Sequence, residues 1–274
     1  MSRTTQLLIV DPQNDFCDLP RDGWPAGQAP SLPVPGAHAD MQRLAAWIAR
    51  YSSQIDGITI TLDSHQAYDI AHPLFWQQGD GSAVAPFTPI TAAQVRAGDF
   101  APRDTAALPR VLQYLDALED AGRYTLMVWP MHCELGSWGH GVHPDVLLAC
   151  RDWQAGRHQA VRHVLKGMNP WTEHYSAICA EVPDPQDPGT ALNTELLQHL
   201  AVCDTLVITG EASSHCVRAT TEHILQHSGM APERLVVLTD CMSSVTGFEL
   251  AHEIFLQQMR QQGVRCVSST VFHL

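Results

Sequence analysis

Apolar residues fall along this chain in two alternating rhythms. Short continuous runs at Thr5–Val10, Ile58–Leu62, Ala160–Leu165, Thr205–Thr209, Leu235–Thr239 and Val264–Ser268 read as strands, because a strand buried on both faces keeps no polar side. Between them, His38–Tyr51 places Met41, Leu44, Ala45 and Ile48 at helical spacing. Thr105–Ala121, Thr190–Ala201, Ser214–His227 and Phe248–Gln262 also read as helices, and Tyr124–Trp129 as a short strand. Three stretches fit neither rhythm: the Pro- and Gly-rich Asp18–Pro35, the acidic, proline-rich Pro183–Gly189, and Phe75–Arg103. A patternless segment as long as the last is more often a functional lid than a connector. Strands alternating with helices predict one doubly wound α/β domain, with a mainly parallel sheet and right-handed crossovers.

Composition narrows the partners. The 274 residues are 45% hydrophobic and 16% charged, enough to bury a large core. Sixteen Lys and Arg against 29 Asp and Glu give a net charge of −13, which argues against nucleic acid or an anionic membrane as partner. The first residues run straight into a strand with no signal-peptide pattern, and no apolar run has membrane-spanning length. Eight irregularly spaced cysteines do not form a disulfide framework, so the expectation is a cytoplasmic protein with reduced thiols, most of them small buried apolar groups.

Chemistry collects where strands end. In Leu206–Thr221 an apolar run closes at Gly210, two serines stand at the position of a helix N-cap, and Cys216 falls in the first helical turn. Backbone N–H groups and the helix dipole favour a thiolate there, so Cys216 is a candidate nucleophile. Asp11 closes the first strand and could act as base for the thiol and acid for a leaving group, although an Asp there also caps loops. Lys166 ends another strand, where its ammonium could lower the thiol pKa, unless it snorkels to solvent. Asp63 and His65 share one face of an extended segment and suit Zn²⁺, Fe²⁺ or Mn²⁺; His132 is the better third ligand and His72 its rival. In an open parallel sheet such strand ends share one rim.

Taken together, Asp11-Pro-Gln-Asn-Asp-Phe16, Asp63-Ser-His65, Trp129-Pro-Met-His-Cys-Glu-Leu-Gly-Ser-Trp-Gly139, Lys166-Gly167 with His174-Tyr-Ser-Ala177, and Gly210-Glu-Ala-Ser-Ser-His-Cys-Val217 span nearly the whole chain. In that order they resemble the motifs of the isochorismatase-like cysteine hydrolases, and among them the metal-containing nicotinamidase/pyrazinamidase branch. The resemblance implies a three-layer α/β/α, Rossmann-like fold over residues 1–274 and a catalytic triad of Asp11, Lys166 and Cys216. It also implies a divalent metal, zinc in the first place, on Asp63, His65 and His132. A cis peptide at Glu211–Ala212 and an oxyanion hole from the N–H groups of Ala212 and Cys216 come with it, as do Phe16 and Trp129 flanking a substrate ring. The implied activity is hydrolysis of a small carboxamide through a thioester, in a homo-oligomer.

Two features depart from that pattern. His72 is displaced from the position of a further family histidine, and the stretch between Phe75 and Trp129 is longer than a compact nicotinamidase needs. The second reads as a lid-like insertion at about 75–125 that bears on the choice of substrate. A hydrolase of carbamoyl or ureido amides on the same scaffold, and a catalytically silent binding or assembly module, are the alternatives.

Overall fold

The computed structural model describes residues 3–274. Six parallel strands form the central sheet: β1 (Thr5–Val10), β2 (Gly57–Asp63), β7 (Arg162–Lys166), β8 (Thr205–Gly210), β9 (Leu235–Leu238) and β10 (Arg265–Val267), in the order β10-β9-β8-β1-β2-β7. Every residue of β1 and β9 is buried, the signature of a sheet covered on both faces. The helices are α1 (Ala37–Tyr51), α4 (Pro144–Arg157), α5 (Thr194–Ala201), α6 (Cys216–His227) and α7 (Glu249–Gln261). Right-handed crossovers put α1 and α4, which pack on each other, on one face, and α5, α6 and α7 on the other. The expected α/β class and three-layer, doubly wound sheet are what the chain adopts.

From β1 the chain steps outward to β2 and β7, then returns to the far side of β1 for β8, β9 and β10. Strand order therefore reverses between β1 and β8, and a crevice opens there at the carboxyl ends. The two strands approach closely, in register from Thr5 against Thr205 to Val10 against Gly210. Only glycine fits the last pair: Gly210 has φ +120°, and a Cβ would lie 1.9 Å from the Val10 carbonyl oxygen.

Two parts of the chain differ from the sequence reading. Helix α4 carries Val146, Ala149, Cys150 and Trp153 on its buried face, but Leu147 and Leu148 on its exposed side obscure that stripe. The stretch Phe75–Arg103 is also regular, built from pieces too short to show a period. Strand β3 (Trp76–Gln78) pairs antiparallel with β5 (Phe100–Pro102), and β4 (Thr88–Ile90) with β6 (Leu126–Val128). Between β4 and β5, α2 (Ala92–Ala97) starts on a capping box in which Thr91 and Gln94 satisfy each other's backbone N–H. With α3 (Leu108–Ala121) these pieces enclose a second apolar cluster around Phe75, Trp76, Ile90, Val111, Leu115 and Val128. Its β6 strand runs directly into Trp129 at the rim of the crevice.

Candidate active site

Four adjacent strands deliver four side chains to one rim. Cys216 follows β8, Asp11 follows β1, Asp63 ends β2 and Lys166 ends β7. Asp11 turns off its strand at φ 46°, a region that Asp tolerates better than most residues. Its N–H donates to the Thr61 carbonyl at 3.1 Å, and the Thr61 hydroxyl donates to Asp11 Oδ1 at 2.5 Å. Lys166 points inward rather than to solvent: Nζ lies 2.9 Å from Asp11 Oδ2, 2.9 Å from Asp63 Oδ1, 3.0 Å from the His174 carbonyl and 3.6 Å from Cys216 Sγ. A ligand atom each from Asp11, Asp63 and Cys216 falls within 4.8 Å of the others.

Burial and charge set the resting protonation of this group. Burial opposes the Lys166 ammonium, yet Asp11 and Asp63 hold it well above the usual lysine range. For Asp63, burial is outweighed by Lys166 and His65, which keep its carboxyl far below the ordinary value. Asp11 differs: burial raises its carboxyl more than Lys166 lowers it. The Cys216 thiol is pushed well up, first by burial and then by Asp11 and Asp63, against the pull of Lys166. Burial thus works against the thiolate that the helix N-terminus favours, beside a carboxylate of raised basicity.

The serines of this turn also behave differently from the sequence reading. Residue His215, at φ −131° and ψ −89°, occupies the N-cap of α6, and no side chain caps it. Ser214 Oγ pairs with His215 Nδ1 and accepts from the Val245 N–H, while Ser213 Oγ pairs with His252 Nδ1. Both hydroxyls tie the turn to neighbouring groups, and the Ser213 and His215 N–H groups donate to the Ser243 and Ala212 carbonyls. The Glu211–Ala212 peptide is cis, as the resemblance implies, and among the described residues the N–H groups of Ala212 and Cys216 have no protein acceptor.

Beside the thiol lies a cluster of metal-type donors. Asp63 Oδ2 is 3.2 Å from His65 Nε2 and 3.5 Å from His132 Nε2. Two ligands of a tetrahedral zinc at about 2.0–2.1 Å stand roughly 3.3 Å apart, so each of these two separations suits a pair of ligands on one ion. Their outer partners fit as well. His65 Nδ1 faces Asp69 Oδ2 at 3.1 Å and His132 Nδ1 faces the Pro130 carbonyl at 2.8 Å, which turns each Nε2 lone pair inward. His72 joins the cluster, with a ring nitrogen within 4.8 Å of those of His65 and His132. The structure therefore brings together both histidines that the sequence set against each other.

A small pocket beside Cys216 is lined by Phe16, Trp129, His132, Glu173, Tyr175 and His215, among others. Phe16 and Trp129 both line this pocket, and the Trp129 indole N–H donates to the Tyr175 hydroxyl at 3.1 Å. From the stretch Phe75–Arg103, the exposed Phe87 packs edge-on against Trp129, ring centroids 5.9 Å apart. Sequence reasoning left Asp69, Asp15, Glu173, Tyr175 and His215 without roles. Asp69 was within reach, since it stands four residues after a candidate ligand. Asp15 was not: its buried carboxylate accepts from Ser31 N and Cys133 N, tying the first loop to the His132 loop across 118 residues. Gly139 makes room for it, because a Cβ there would fall 2.0 Å from Asp15 Oδ2.

In sequence the chain matches no protein-family profile, and no curated protein is significantly similar to it. Solved structures do match it over nearly their whole length. A nicotinamidase/pyrazinamidase of Acinetobacter baumanii is 21% identical, with 98% of each chain covered and a TM-score of 0.64. The yeast nicotinamidase is 20% identical over 96% of this chain and 99% of its own, also at 0.64. A zinc complex of the Pyrococcus horikoshii pyrazinamidase is 18% identical over 96% and 98%, at 0.54. Isochorismatase-like hydrolases share the architecture too. The fold is that of the isochorismatase-like and nicotinamidase structures. Among the described residues, no helix is long and apolar enough to cross a membrane.

Proposed function

We propose that the chain is a cysteine-dependent amidohydrolase that cleaves a small planar carboxamide, nicotinamide-like in size and shape, through a thioester. The observation that carries this reading is the contact of one buried ammonium, Lys166 Nζ, with Asp11, Asp63 and the Cys216 sulfur. A buried Lys held between two carboxylates and a thiol carries a desolvation cost that an apolar residue would avoid, which favours a chemical role over mere packing.

In the reaction the raised carboxylate of Asp11 takes the thiol proton as Sγ attacks the amide carbon. Lys166 stays charged and steadies the negative charge as it moves from Asp11 to the sulfur. The free N–H groups of Ala212 and Cys216 are available to the oxyanion of the tetrahedral intermediate. Collapse breaks the C–N bond, and Asp11 returns its proton to the departing ammonia, leaving an acyl group on Sγ. Asp11 then accepts a proton from attacking water, the C–S bond breaks, and the thiol and a carboxylic acid are released. Phe16 and Trp129 are the flat walls for the substrate ring.

Asp63, His65 and His132, with His72 beside them, would hold a divalent metal, zinc in the first place. When bound, such an ion supplies Lewis-acid and orienting chemistry at the pocket. The donor set favours an aromatic carboxamide over a carbamoyl or ureido compound, whose hydrolases on this scaffold generally lack these ligands. The segment around Phe87 is the lid over the pocket. The reading carries with it a cytoplasmic homo-oligomer whose partner is the small amide rather than nucleic acid or membrane. Acid-quenched mass spectrometry during turnover of nicotinamide or pyrazinamide tests it. An acyl increment on the Cys216 peptide is expected, and an acyl group on another residue would overturn the assignment.

A further inference from the structure

Behind the thiol pocket lies a second, larger chamber of about 240 Å³ that shares Trp129, Tyr175 and His215 with it as a partition. The aromatic lining is continuous. His215 packs edge-on against Phe248 at 4.6 Å between centroids and nearly parallel to Tyr124 at 6.2 Å, and Trp129 lies 6.1 Å from Phe248. Such walls suit a flat ring, which they can meet face-on or edge-on.

Basic side chains, each paired with glutamate, stand at the chamber wall. In a chain of net charge −13, two of its 16 basic side chains, Arg123 and Arg218, line this one cavity. Arg123 is consumed by neighbours: it pairs with Glu222 at 2.8 Å, with Glu181 at 3.7 Å and with the His223 ring. Arg218 is not. Its Nε donates to Glu222 Oε1 at 2.8 Å, which fixes the guanidinium plane, while its two terminal amino groups have no protein partner among the described residues. A guanidinium held by one edge and open along the other is a preformed fork for a carboxylate. Arg218 is also only two residues beyond Cys216 on α6, so the fork and the thiol sit on one rigid element.

We propose that this chamber is a second binding site, separate from the thiol pocket, for a small aromatic carboxylate whose ring lies against Tyr124, Trp129 and Phe248 and whose oxygens sit on Arg218. The site stands without the reaction proposed above. The same chemistry describes the acid which that reaction releases and any free aromatic acid that reaches the protein from elsewhere.

Calorimetric titration with benzoate tests the site in Cys216→Ala protein, with benzamide at saturation to fill the thiol pocket. Benzoate is expected to bind alongside benzamide, and to bind at least about tenfold more weakly when Arg218→Gln is added, because a charge-assisted bidentate pair is lost. Arg218→Lys, which keeps the charge and the fold but not the fork, is expected to weaken benzoate several-fold and to leave benzamide unaffected. Displacement of benzoate by benzamide, or unchanged benzoate affinity in both variants, overturns the proposal. Two sources of the ligand are separated by turnover. Product inhibition relieved by Arg218→Gln marks the released acid, and product inhibition unchanged by it, with benzoate affinity lost, marks an acid from elsewhere.

Discussion

Lys166 Nζ stands 2.9 Å from Asp63 Oδ1, while the other oxygen of the same carboxylate faces His65 and His132. One carboxylate thus joins the thiol group to the metal-type donors, and the Lys that serves Cys216 also neutralises a candidate ligand. Replacing Lys166 by Met leaves Asp11 buried with no cation and Asp63 with only the His65 ring. We expect a loss of about 3–5 kcal/mol in stability, the usual cost of breaking a buried pair, together with loss of turnover. Denaturant unfolding of Lys166→Met checks the first, and a stability within 1 kcal/mol of the parent, roughly the value of an exposed pair, contradicts it.

Asp69 touches no substrate wall, yet it orients His65 through Nδ1 at 3.1 Å. Asp69→Asn should weaken metal affinity about 10–100-fold without removing any of Asp63, His65, His72 or His132. Competition against a chromophoric chelator reads this directly. His132→Ala should lose more affinity than Asp69→Asn, and the reverse order would remove His132 from the ligand set.

Much of this arrangement was legible in the residues, and the exceptions have physical causes. Strands covered on both faces announce themselves as unbroken apolar runs, so β1, β2, β8 and β9 were found within a residue or two of their ends. Asp11 and Asp63 at the ends of β1 and β2 followed at once, as did Lys166 at the end of β7. Helix α4 stayed hidden because Leu147 and Leu148 sit on its outer side, and a buried stripe that includes Ala149 and Cys150 is weak beside them. The pieces β3, β4 and β5 span three residues each, less than two strand periods, so Phe75–Arg103 looked patternless. Distant partnerships such as Asp15 with Cys133 leave no local trace. The upward shifts of Asp11 and Cys216 come first from burial, which spacing does not report.

Phe87 is half exposed, adopts φ 63°, and still keeps its ring against Trp129. If that contact shapes the mouth of the pocket, Phe87→Ala should raise KM for an aromatic amide about 2–10-fold, the range of one aromatic contact, with kcat nearly unchanged. A fall in kcat at constant KM would place Phe87 in the chemistry instead.

Glu211 is fully buried, and its carboxyl is held well above the ordinary value by burial and by the neighbouring Asp40. Because folding raises this pKa, the folded state binds the proton more tightly. Stability therefore falls as pH rises above the unfolded value of about 4.3, by about 1.4 kcal/mol per pH unit, and levels off once the folded pKa is passed. Glu211→Gln keeps the shape and removes this dependence. Thermal unfolding should show the variant more stable than the parent at pH 8, with the gain gone near pH 4. A gain that is equal at both pH values would mean that Glu211 is not the titrating group.

The central claim is that Cys216 attacks an amide carbon. Ammonia release from nicotinamide, pyrazinamide and benzamide, measured for the metal-loaded parent and for Cys216→Ala side by side, tests it most directly. The parent should release ammonia and acid in equal amounts from at least one of these amides, and Cys216→Ala should release none above the uncatalysed background. Ammonia release by Cys216→Ala at the parent's rate, or a parent inert toward all three, would contradict the account.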